Sequence, residues 1–420
     1  MATSSQVDAI LRDDYKSLWE NLNNACFILA QVTTKKDTVQ GRIARHAIHT
    51  GRSGGVGARA EGDSLPTADQ QRYSTVPVPV RWNTGRIQLT VQLMKMATGE
   101  PGAFADAMET EMNGIKNDAT RDVNRQAWGT SNGVIATCGT TSSSATIQLA
   151  STTTAAQMRH FYIGGRVDVG TVASPTAVTS NRSITAVDTA NKTITVSGAT
   201  MSTTSGTHFV FRQGAGGASD NSGTAADGQR ELTGVQTIVS TSTTLHTLAP
   251  ASVPVWKAQV YSNSGTNRAL SESAVDYALM QNQVESGKTV DVLVSNVGVF
   301  LAAKNILSAY QRFADPVEFK GGFKGIKWNT PGVSGLDGKE LGWYADHDAP
   351  ANALYGLNTS DGLVCHQIAE GWQWLNDDGA ILNRVPDQLA FEATLYTSME
   401  LACVQRNAHF AITDLTEVTL

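Results

Sequence analysis

One stretch constrains this chain more than any other, the segment from Pro101 to Trp128. Its apolar residues recur every three or four positions, the period of one face of an α-helix: Phe104, Met108, Met112, Ile115, Ala119, Val123 and Ala127. Pro101 suits the first helical turn, and acidic residues precede basic ones, as the helix dipole favours. At 1.5 Å per residue the predicted helix is roughly 40 Å long, well beyond the globular average. A rod with one apolar stripe predicts a spine laid across a sheet, with a long surface helix of any α+β domain as the alternative.

Composition limits the class of protein around that helix. The chain has 420 residues, enough for two or three domains with sizeable cores. Charged residues make up only 17% and hydrophobic residues 41%, which indicates an ordered, strand-rich protein and not a disordered one. The net charge of -6 gives no support for a surface that binds a phosphate backbone throughout.

The cysteines and the amino-terminal stretch bear on the compartment. The four cysteines, Cys26, Cys138, Cys365 and Cys403, lie far apart and form no CxxC pair. Neither a zinc knuckle nor a disulfide framework is therefore indicated. Residues 1–20 lack the apolar core of a signal peptide, and no run approaches 18 apolar residues. We expect a protein made in a reducing cytoplasm.

The segment before the long helix predicts an arm and then a hairpin. Residues 8–30 suggest a short helix, and residues 41–63 are basic and glycine-rich, as in an extended, mobile loop. Tyr73–Trp82 and Arg86–Leu93 both alternate in hydrophobicity and flank Asn-Thr-Gly at 83–85. This pattern predicts a β-hairpin that turns at 83–85. Pro77 and Pro79 lack a donor, so its first strand is expected at a sheet edge.

The sequence after the long helix predicts an all-β unit. Residues 130–216 are rich in Thr, Ser, Ala and Gly, with short alternating runs at 8–15-residue spacing. The run 183–188 and the run 192–198 form a predicted hairpin joined through residues 188–191. We predict a small inserted sandwich or barrel, with a low-complexity linker as the alternative. Residues 214–228 then form a flexible exit.

The carboxy-terminal half mixes helices with strands. A second amphipathic helix is predicted from Leu270 to Glu285, with a stop at Gly287. Its apolar face comprises Leu270, Ala274, Tyr277, Ala278 and the segment 280–284. A buried strand at 290–294 follows, and Asn296 then caps a helix that runs to Phe313. Strands are also expected near 341–345, 363–367 and 372–375. Two alternating runs, 391–404 and 409–415, close the chain, and we predict that they build the sheet under the long helix.

Catalytic patterns occur in the sequence but fail on context. Residues 51–55 match G-x-S-x-G and residues 55–60 match G-x-G-x-x-A, yet neither lies between a strand and a helix. The Asp-His-Asp at 346–348 lacks a further ligand at helical spacing and is interpreted as a turn before Pro350. Residues 376–379 lack the spacing of a calcium loop and are interpreted as a hairpin turn. We therefore predict no catalytic residue, cofactor or metal site, and expect the chain not to be an enzyme.

The order of these parts resembles the major capsid protein of tailed bacteriophages, the Hong Kong 97 capsid fold. The segment 99–130 resembles the spine helix of that family, the basic hairpin before it the E-loop, and 287–307 the entry to the axial domain. Residues 395–415 look like the terminal strands of the peripheral domain. The resemblance implies an α+β fold that carries, in addition, an all-β insertion domain.

The resemblance also implies a division of the chain into parts. These are an N-terminal arm (1–45), an E-loop β-hairpin (46–97), the spine helix with the start of the peripheral domain (98–137), the insertion domain (138–215), a return to the peripheral domain with the second helix (216–286), the axial domain (287–385) and terminal peripheral strands (386–420). Copies would join into hexamers and pentamers of an icosahedral virion shell around double-stranded DNA. An encapsulin-like nanocompartment shell is the nearest alternative, and a β-rich phage surface or adhesion protein a more distant one.

The assembly residues implied by the resemblance lie on the E-loop and the spine helix: Arg52, Arg59, Arg72, Tyr73, Arg81, Trp82, Glu109, Lys116, Arg121 and Arg125. The implied partners are further copies of the chain, a portal, a separate scaffolding protein, a possible decoration protein and packaged DNA held by non-specific contact, with no membrane. No lysine occurs between Lys36 and Lys95. The E-loop therefore lacks the amine with which some members cross-link, and we predict non-covalent shells. Gly114, inside the long helix, is a candidate bend point.

Overall fold

The structure is a computed structural model. It describes residues 26–35, 39–92, 107–217, 229–310, 317–318, 324–329, 340–368, 372–376 and 381–418. The segments predicted before residue 26 and the turn at 377–379 lie outside these ranges, as do residues 101–106 at the start of the long helix.

The elements follow in chain order. The helices are α1 (Phe27–Gln31), α2 (Ala107–Trp128), α3 (Ala155–Met158), α4 (Val235–Ile238), α5 (Glu272–Ser286) and α6 (Val297–Tyr310), with a 3-10 turn at Arg406–Ala408. The strands of the first half are β1 (Thr33–Lys35), β2 (Val39–Gln40), β3 (Ile43–Gly51), β4 (Arg72–Pro79), β5 (Arg81–Thr90), β6 (Val134–Thr137), β7 (Thr141–Ser144), β8 (Thr146–Gln148), β9 (Arg166–Gly170), β10 (Thr179–Asp188), β11 (Thr193–Val196), β12 (Met201–Thr203) and β13 (Phe209–Arg212). Those of the second half are β14 (Gln259–Tyr261), β15 (Val292–Ser295), β16 (Val317–Glu318), β17 (Lys324–Asn329), β18 (Glu340–Ala345), β19 (Leu354–Leu357), β20 (Leu363–Gln367), β21 (Gln373–Trp374), β22 (Asn383–Arg384), β23 (Ala390–Cys403) and β24 (Phe410–Ile412).

A six-stranded sheet is built around the long strand β23. On one side β23 pairs antiparallel with β5 from Ala390–Thr90 to Met399–Arg81. On its other side β20, β21 and β22 pair with successive parts of the strand, and β1 joins β20 in parallel. We call this the central sheet. The predicted run 391–404 is thus a strand, and it spans the whole sheet.

The predicted hairpin turn at 83–85 is wrong. Those residues lie inside β5, opposite Leu395–Thr397 of β23. The hairpin instead consists of β3 and β4, paired from Ile43–Pro79 to Gly51–Arg72, so the segment predicted as an entirely mobile loop supplies one of its strands. Gly85 resembles a turn residue in the sequence, but in the structure it allows α2 to approach β5 closely. A Cβ at this position would lie 2.9 Å from Cδ1 of Ile115 in α2. As predicted, the strand with Pro77 lies at an edge of its three-stranded sheet, in the order β2-β3-β4.

The long helix α2 lies against the central sheet through β5. Ile115 contacts Gly85, and Gln126 Nε2 donates to Asn83 Oδ1 at 3.0 Å. The carboxy-terminal turns of α2 pack in the main core. Trp128 is buried there, and its ring centroid lies 5.4 Å from that of Tyr355. The predicted helix therefore forms, and it ends at the predicted residue.

The segment after α2 folds into a closed β-barrel with its own core. Six strands follow the order β6-β13-β9-β10-β11-β8, and a bridge between Cys138 and Leu149 joins the two ends of that series. Gly139 N donates to Gln148 O at 2.7 Å at this closure. The strands β10 and β11 form the hairpin predicted at residues 183–198. Closure removes the open sheet edges that would otherwise pair with another chain.

A seven-stranded sheet forms the second body, in the order β14-β24-β19-β15-β18-β17-β16. Its core includes Leu279 of α5 and Phe410. Hydrogen-bonded caps start both helices: Ala274 N donates to Ser271 Oγ at 3.3 Å, and Val299 N donates to Asn296 Oδ1 at 3.0 Å, the second as predicted. The prediction that the run 409–415 joins the run 391–404 in one sheet is wrong. Strand β24 pairs with β14 and β19 here, because alternation reports a strand but not its partner.

None of the described helices combines the length and the apolar character that a membrane-spanning helix needs.

Candidate assembly surfaces

The long hairpin, defined here as residues 43–79, carries the most exposed apolar side chains of the described chain. Its root is anchored, since Ala44, Val76 and Val78 are fully buried in the main core. Its connecting segment, 52–71, is largely exposed. Val56 is 89% and Leu65 is 88% exposed, the two highest values among the large apolar side chains that the structure describes. The hairpin is fixed at one end and presents apolar side chains at the other.

The connecting segment holds itself in shape through polar contacts. Asp69 is central: its Oδ2 accepts from Gly54 N at 2.8 Å, and its main-chain oxygen accepts from Ser53 Oγ at 3.0 Å. The backbone N–H groups of Gly54 and Gln70 both donate to the Asp69 carboxylate and lower its pKa, that of Gly54 first. Arg59 Nε donates to Ser64 O at 3.1 Å, which closes the tip. The segment predicted as mobile thus has local order that can present Val56 to a partner.

Four of the predicted assembly residues lie on this hairpin. Arg52, Arg59, Arg72 and Tyr73 are all exposed. The ring centroid of Tyr73 lies 5.2 Å from that of His49 on the paired strand. These side chains are accessible to a neighbouring molecule.

Three further predicted residues remain on the surface of the spine region. Trp82 is 51% exposed on β5, with its ring centroid 5.9 Å from that of Tyr396. Lys116 is exposed and Arg121 is half-buried on α2. The backbone of Glu109 belongs to α2, but its side chain lies outside those that the structure describes.

Arg81 does not belong to an exposed surface, and its prediction is corrected. The side chain is 7% exposed, its Nε lies 3.4 Å from Oε2 of Glu400, and its Nη1 donates to Gln229 O at 2.8 Å. Burial raises the pKa of Glu400 to about 7, against the opposing effect of the Arg81 guanidinium. The guanidinium of Arg81 is thus engaged by contacts within its own chain.

Arg125 is corrected for the same reason. Its Nη2 donates to Glu231 Oε1 at 2.5 Å and its Nε donates to Asp122 Oδ1 at 3.1 Å, with only 8% of the side chain exposed. Asp122 also accepts from Arg212 of the barrel at 3.1 Å. Although burial opposes it, the Arg125 charge lowers the pKa of Asp122. This network joins the end of α2 to the barrel and to the strand-free segment around Glu231.

A second polar junction, which the sequence did not reveal, involves the Asp-His-Asp segment. Asp348 accepts from Asn124 Nδ2 at 2.7 Å and from Arg159, and its Oδ1 lies 3.1 Å from His160 Nε2. Hydrogen bonding to His160 and the neighbouring charges outweigh burial and lower the pKa of Asp348 to about 2. The predicted turn at Pro350 is present, and it ties the barrel to α2. Within the described residues no group of three or more His, Cys, Asp or Glu side chains is placed to hold a metal ion.

The apolar face predicted on α5 lies only partly in the core. Leu270 and Ala278 of that face are buried, as are Val275 and Leu279. Tyr277 is 61%, Met280 is 38% and Val284 is 62% exposed. Two stripes of the helix are apolar, and periodicity alone does not choose which one packs inward. The exposed stripe is a second surface suited to contact with another molecule.

Comparisons with known proteins address the architecture. No family model and no curated protein matches this chain. The solved capsid asymmetric unit of cyanophage A-1(L) is similar to it over 99% of each chain, with 12% identity and a TM-score of 0.53. The capsid of the native GTA particle is 9% identical over 94% of this chain and 91% of that one, at a TM-score of 0.47. The holo-SrpI encapsulin of Synechococcus elongatus is 7% identical over 94% and 91%, at 0.46.

Of these three, only the cyanophage capsid exceeds a TM-score of 0.5, and the fold assignment rests on it. The match covers both chains almost from end to end. The chain therefore has the fold of the tailed-bacteriophage major capsid proteins, the Hong Kong 97 capsid fold.

Proposed function

We propose that this chain is the major capsid protein of a tailed bacteriophage. In this account its copies form hexamers and pentamers, and these close an icosahedral shell around double-stranded DNA. The mature protein is then a virion component that is assembled in the host cytoplasm. Support comes from the end-to-end likeness to a cyanophage capsid chain, which the chain shares in architecture at only 12% identity.

The observation that carries the proposal is the long hairpin. Burial at Val76 and Val78 fixes its root, while Val56 and Leu65 near its tip are almost wholly exposed. Burying an apolar side chain of this size contributes roughly 1.5–3 kcal/mol. A second copy of the chain is the partner that symmetric assembly supplies to every tip at once.

The parts of the family fold are assigned as follows in this proposal. The E-loop is the long hairpin, 43–79, a revision of 46–97 because β5 belongs to the central sheet. The spine helix is α2, and the peripheral domain contains the central sheet. The axial domain contains the seven-stranded sheet with α6 and with α5, a revision of the prediction that placed the second helix in the peripheral segment 216–286, because α5 packs in the core of that sheet. The insertion domain is the barrel, 134–212, a revision of 138–215. The N-terminal arm, predicted as 1–45, then ends before β3.

The mechanism is physical. Strand β4 is an edge of its sheet, and among the described strands the edge of β5 away from β23 is also unpaired. Such edges accept a strand or loop from a neighbour through main-chain hydrogen bonds. Many such contacts, each weak, close a shell when the symmetry operation closes. The exposed side chains Arg52, Arg59, Arg72, Tyr73 and Trp82 would then lie at these contacts.

Further partners follow from the same role. DNA must enter the shell through an opening, so we propose a portal protein as a partner. The size of the shell must be set during assembly, so we also propose a separate scaffolding protein. A decoration protein is an optional addition. Packaged DNA would meet the inner surface through non-specific contact. A chain with net charge -6 suits contact that holds DNA loosely.

Sedimentation of the purified full-length chain tests the proposal. Particles or capsomer rings of uniform mass, which contain nucleic acid when isolated from infected cells, are the expected result. A species that stays monomeric at high concentration would contradict assembly. Shells that enclose an enzyme and no nucleic acid would favour the nanocompartment alternative and overturn the viral role.

A further inference from the structure

Two histidines that are far apart in the chain meet at the root of the long hairpin. His46 of β3 and His366 of β20 place their Nε2 atoms 2.6 Å apart, with ring centroids separated by 4.8 Å. His366 is fully buried and His46 is half-buried. The contact joins the hairpin to the central sheet by a side-chain hydrogen bond at the place where the apolar root begins.

The chemistry of this contact depends on its proton count. A neutral imidazole has one N–H donor and one acceptor nitrogen, so two neutral rings satisfy each other when one donates and the other accepts. When one proton is added, the protonated ring donates from its Nε2–H and the neutral ring still accepts at its Nε2. With two added protons both rings carry only N–H groups, and two positive charges face each other at hydrogen-bond distance. The pair therefore tolerates one extra proton and excludes the second.

The surroundings of the pair add positive charge. Lys35 on β1 pairs in register with His366, and its charge lowers the pKa of both histidines. His246 interacts electrostatically with both rings, and also with Arg81 on β5 and with Arg406, while Glu400 on β23 lies opposite His366 in the sheet. Burial raises the pKa of Glu400 to about 7, so this carboxyl group is mostly neutral in the acid range in which the two histidines titrate.

The pKa directions agree with this geometry. Burial, with help from the His46 charge and that of Lys35, lowers the pKa of His366 to about 4. Burial also lowers the pKa of His46 and, to about 3, that of His246. Once the hairpin leaves the sheet, water restores the ordinary value of about 6.5. The packed state therefore binds fewer protons than the detached state between pH 6.5 and 4, and its stability falls as the pH falls through that window.

We propose that His46 and His366 form an acid-sensitive latch that releases the long hairpin from the central sheet. The burial of Ala44, Val76 and Val78 opposes release at neutral pH. This inference goes beyond the proposed function, since the latch lies within one chain and acts whether or not shells form. By linkage, His366 alone shifts the ratio of detached to packed hairpin by about 30-fold between pH 8 and pH 5.

Hydrogen exchange of the full-length, unassembled chain measures this ratio. A detached two-stranded hairpin is marginally stable in water, so its amides lose protection. After correction for the intrinsic exchange rate, peptides covering 43–51 and 72–79 should exchange at least tenfold faster at pH 5 than at pH 8. Barrel peptides covering 193–196 and 209–212 serve as the internal control and should change little. Equal acceleration in both regions, or none in the hairpin, would overturn the latch.

Variants separate the latch from general acid sensitivity. His366→Gln keeps a group that donates and accepts but removes the titration, so the acid acceleration at 43–51 should fall several-fold. His49→Gln is the matched control, because His49 is exposed on the same strand, and it should behave as wild type. If His366→Gln does not fold, His46→Gln at the half-buried position makes the same test. Full acid acceleration in a folded variant at either position would contradict the proposal.

Discussion

Arg81 and Glu400 face each other on adjacent strands of the central sheet, with Nε and Oε2 3.4 Å apart and both side chains buried. Oε1 of Glu400 also accepts from Thr233 N at 2.5 Å. Loss of one partner from a buried ion pair leaves an uncompensated charge, which typically costs 3–5 kcal/mol. The pair thus connects β5, β23 and the segment before α4.

The first prediction concerns this pair. Arg81→Met should lower the free energy of unfolding by about 2–3 kcal/mol at pH 8, less than the full penalty because Glu400 can take up a proton. Adding Glu400→Gln to Arg81→Met should recover most of that loss, since the remaining groups are neutral. Denaturant unfolding of the two single variants and the double variant measures the coupling. Additive losses would show that the two side chains do not interact.

The pH dependence of the same site has a definite sign. The pKa of Glu400 is raised to about 7, so its contribution to stability is present below pH 4.5 and is lost as the pH rises through 7. Glu400→Gln removes this titration. The stability of the variant relative to wild type should therefore increase between pH 5 and pH 8, as measured by thermal unfolding. A constant difference across that range would contradict the raised pKa.

Arg406 is expected to be a major determinant of folding. It is fully buried and donates to four main-chain oxygens, those of Thr237, Ile238, Thr243 and Trp256, at 3.0, 2.8, 2.7 and 3.4 Å. Arg406→Met would leave these acceptors without donors and should cost at least about 3 kcal/mol. Arg166→Met, at a position on the barrel surface, is the control. Similar melting temperatures for the two variants would refute the role of Arg406.

The exposed tip of the long hairpin can be tested by paired substitution. Val56→Ser with Leu65→Ser should leave monomer stability within about 0.5 kcal/mol of wild type, since both side chains are already in water. Assembly should fall sharply, because the intersubunit burial is lost. Ile163→Ser is the control, at an apolar side chain that is 73% exposed on the barrel, where the account places no contact. Normal assembly of the double variant would remove the hairpin from the mechanism.

Gly114 offers a test of helix flexibility. A Cβ at this position would meet no atom within 4 Å, and Ala should stabilise α2 by up to about 1 kcal/mol. If the helix bends at Gly114 as the subunit adapts to a curved shell, Gly114→Ala will slow assembly while raising the melting temperature. Assembly at the wild-type rate would exclude a bend at this position. Light scattering follows the rate.

Local signals explain what the sequence predicted correctly. The end of α2 at Trp128, the end of α5 and the start of α6 depend on residues within one or two turns, so Gly287 and Asn296 could be recognised directly. Gly287 adopts φ 66°, the left-handed conformation that a helix stop requires. The strands β10 and β11 were predicted because their turn is short.

Long-range partners explain what the sequence did not predict. Gly85 resembled a turn residue, yet its role is to admit Ile115 of a helix thirty positions away. The sequence indicates Arg125 as a surface charge on a helix. In the structure it is buried against Glu231, which lies 106 residues further along the chain. The pairing of β24 with β14 and β19 likewise depends on contacts that alternation does not encode. Side-chain type and spacing indicated these elements but not the surfaces they meet.

The absence of lysine from the long hairpin predicts that subunits are not cross-linked covalently through it. Since no lysine lies between Lys36 and Lys95, the long hairpin has no amine for an isopeptide bond. Denaturing electrophoresis of purified particles should show the monomer alone. A ladder of multimers that survives denaturant and reductant would contradict non-covalent assembly.

Cryo-electron microscopy of particles assembled from the full-length chain tests the central claim most directly. We expect closed shells in which the tip of each long hairpin, at Val56 and Leu65, is buried against a neighbouring copy. Monomers without shells, or shells in which that tip faces solvent, would contradict it.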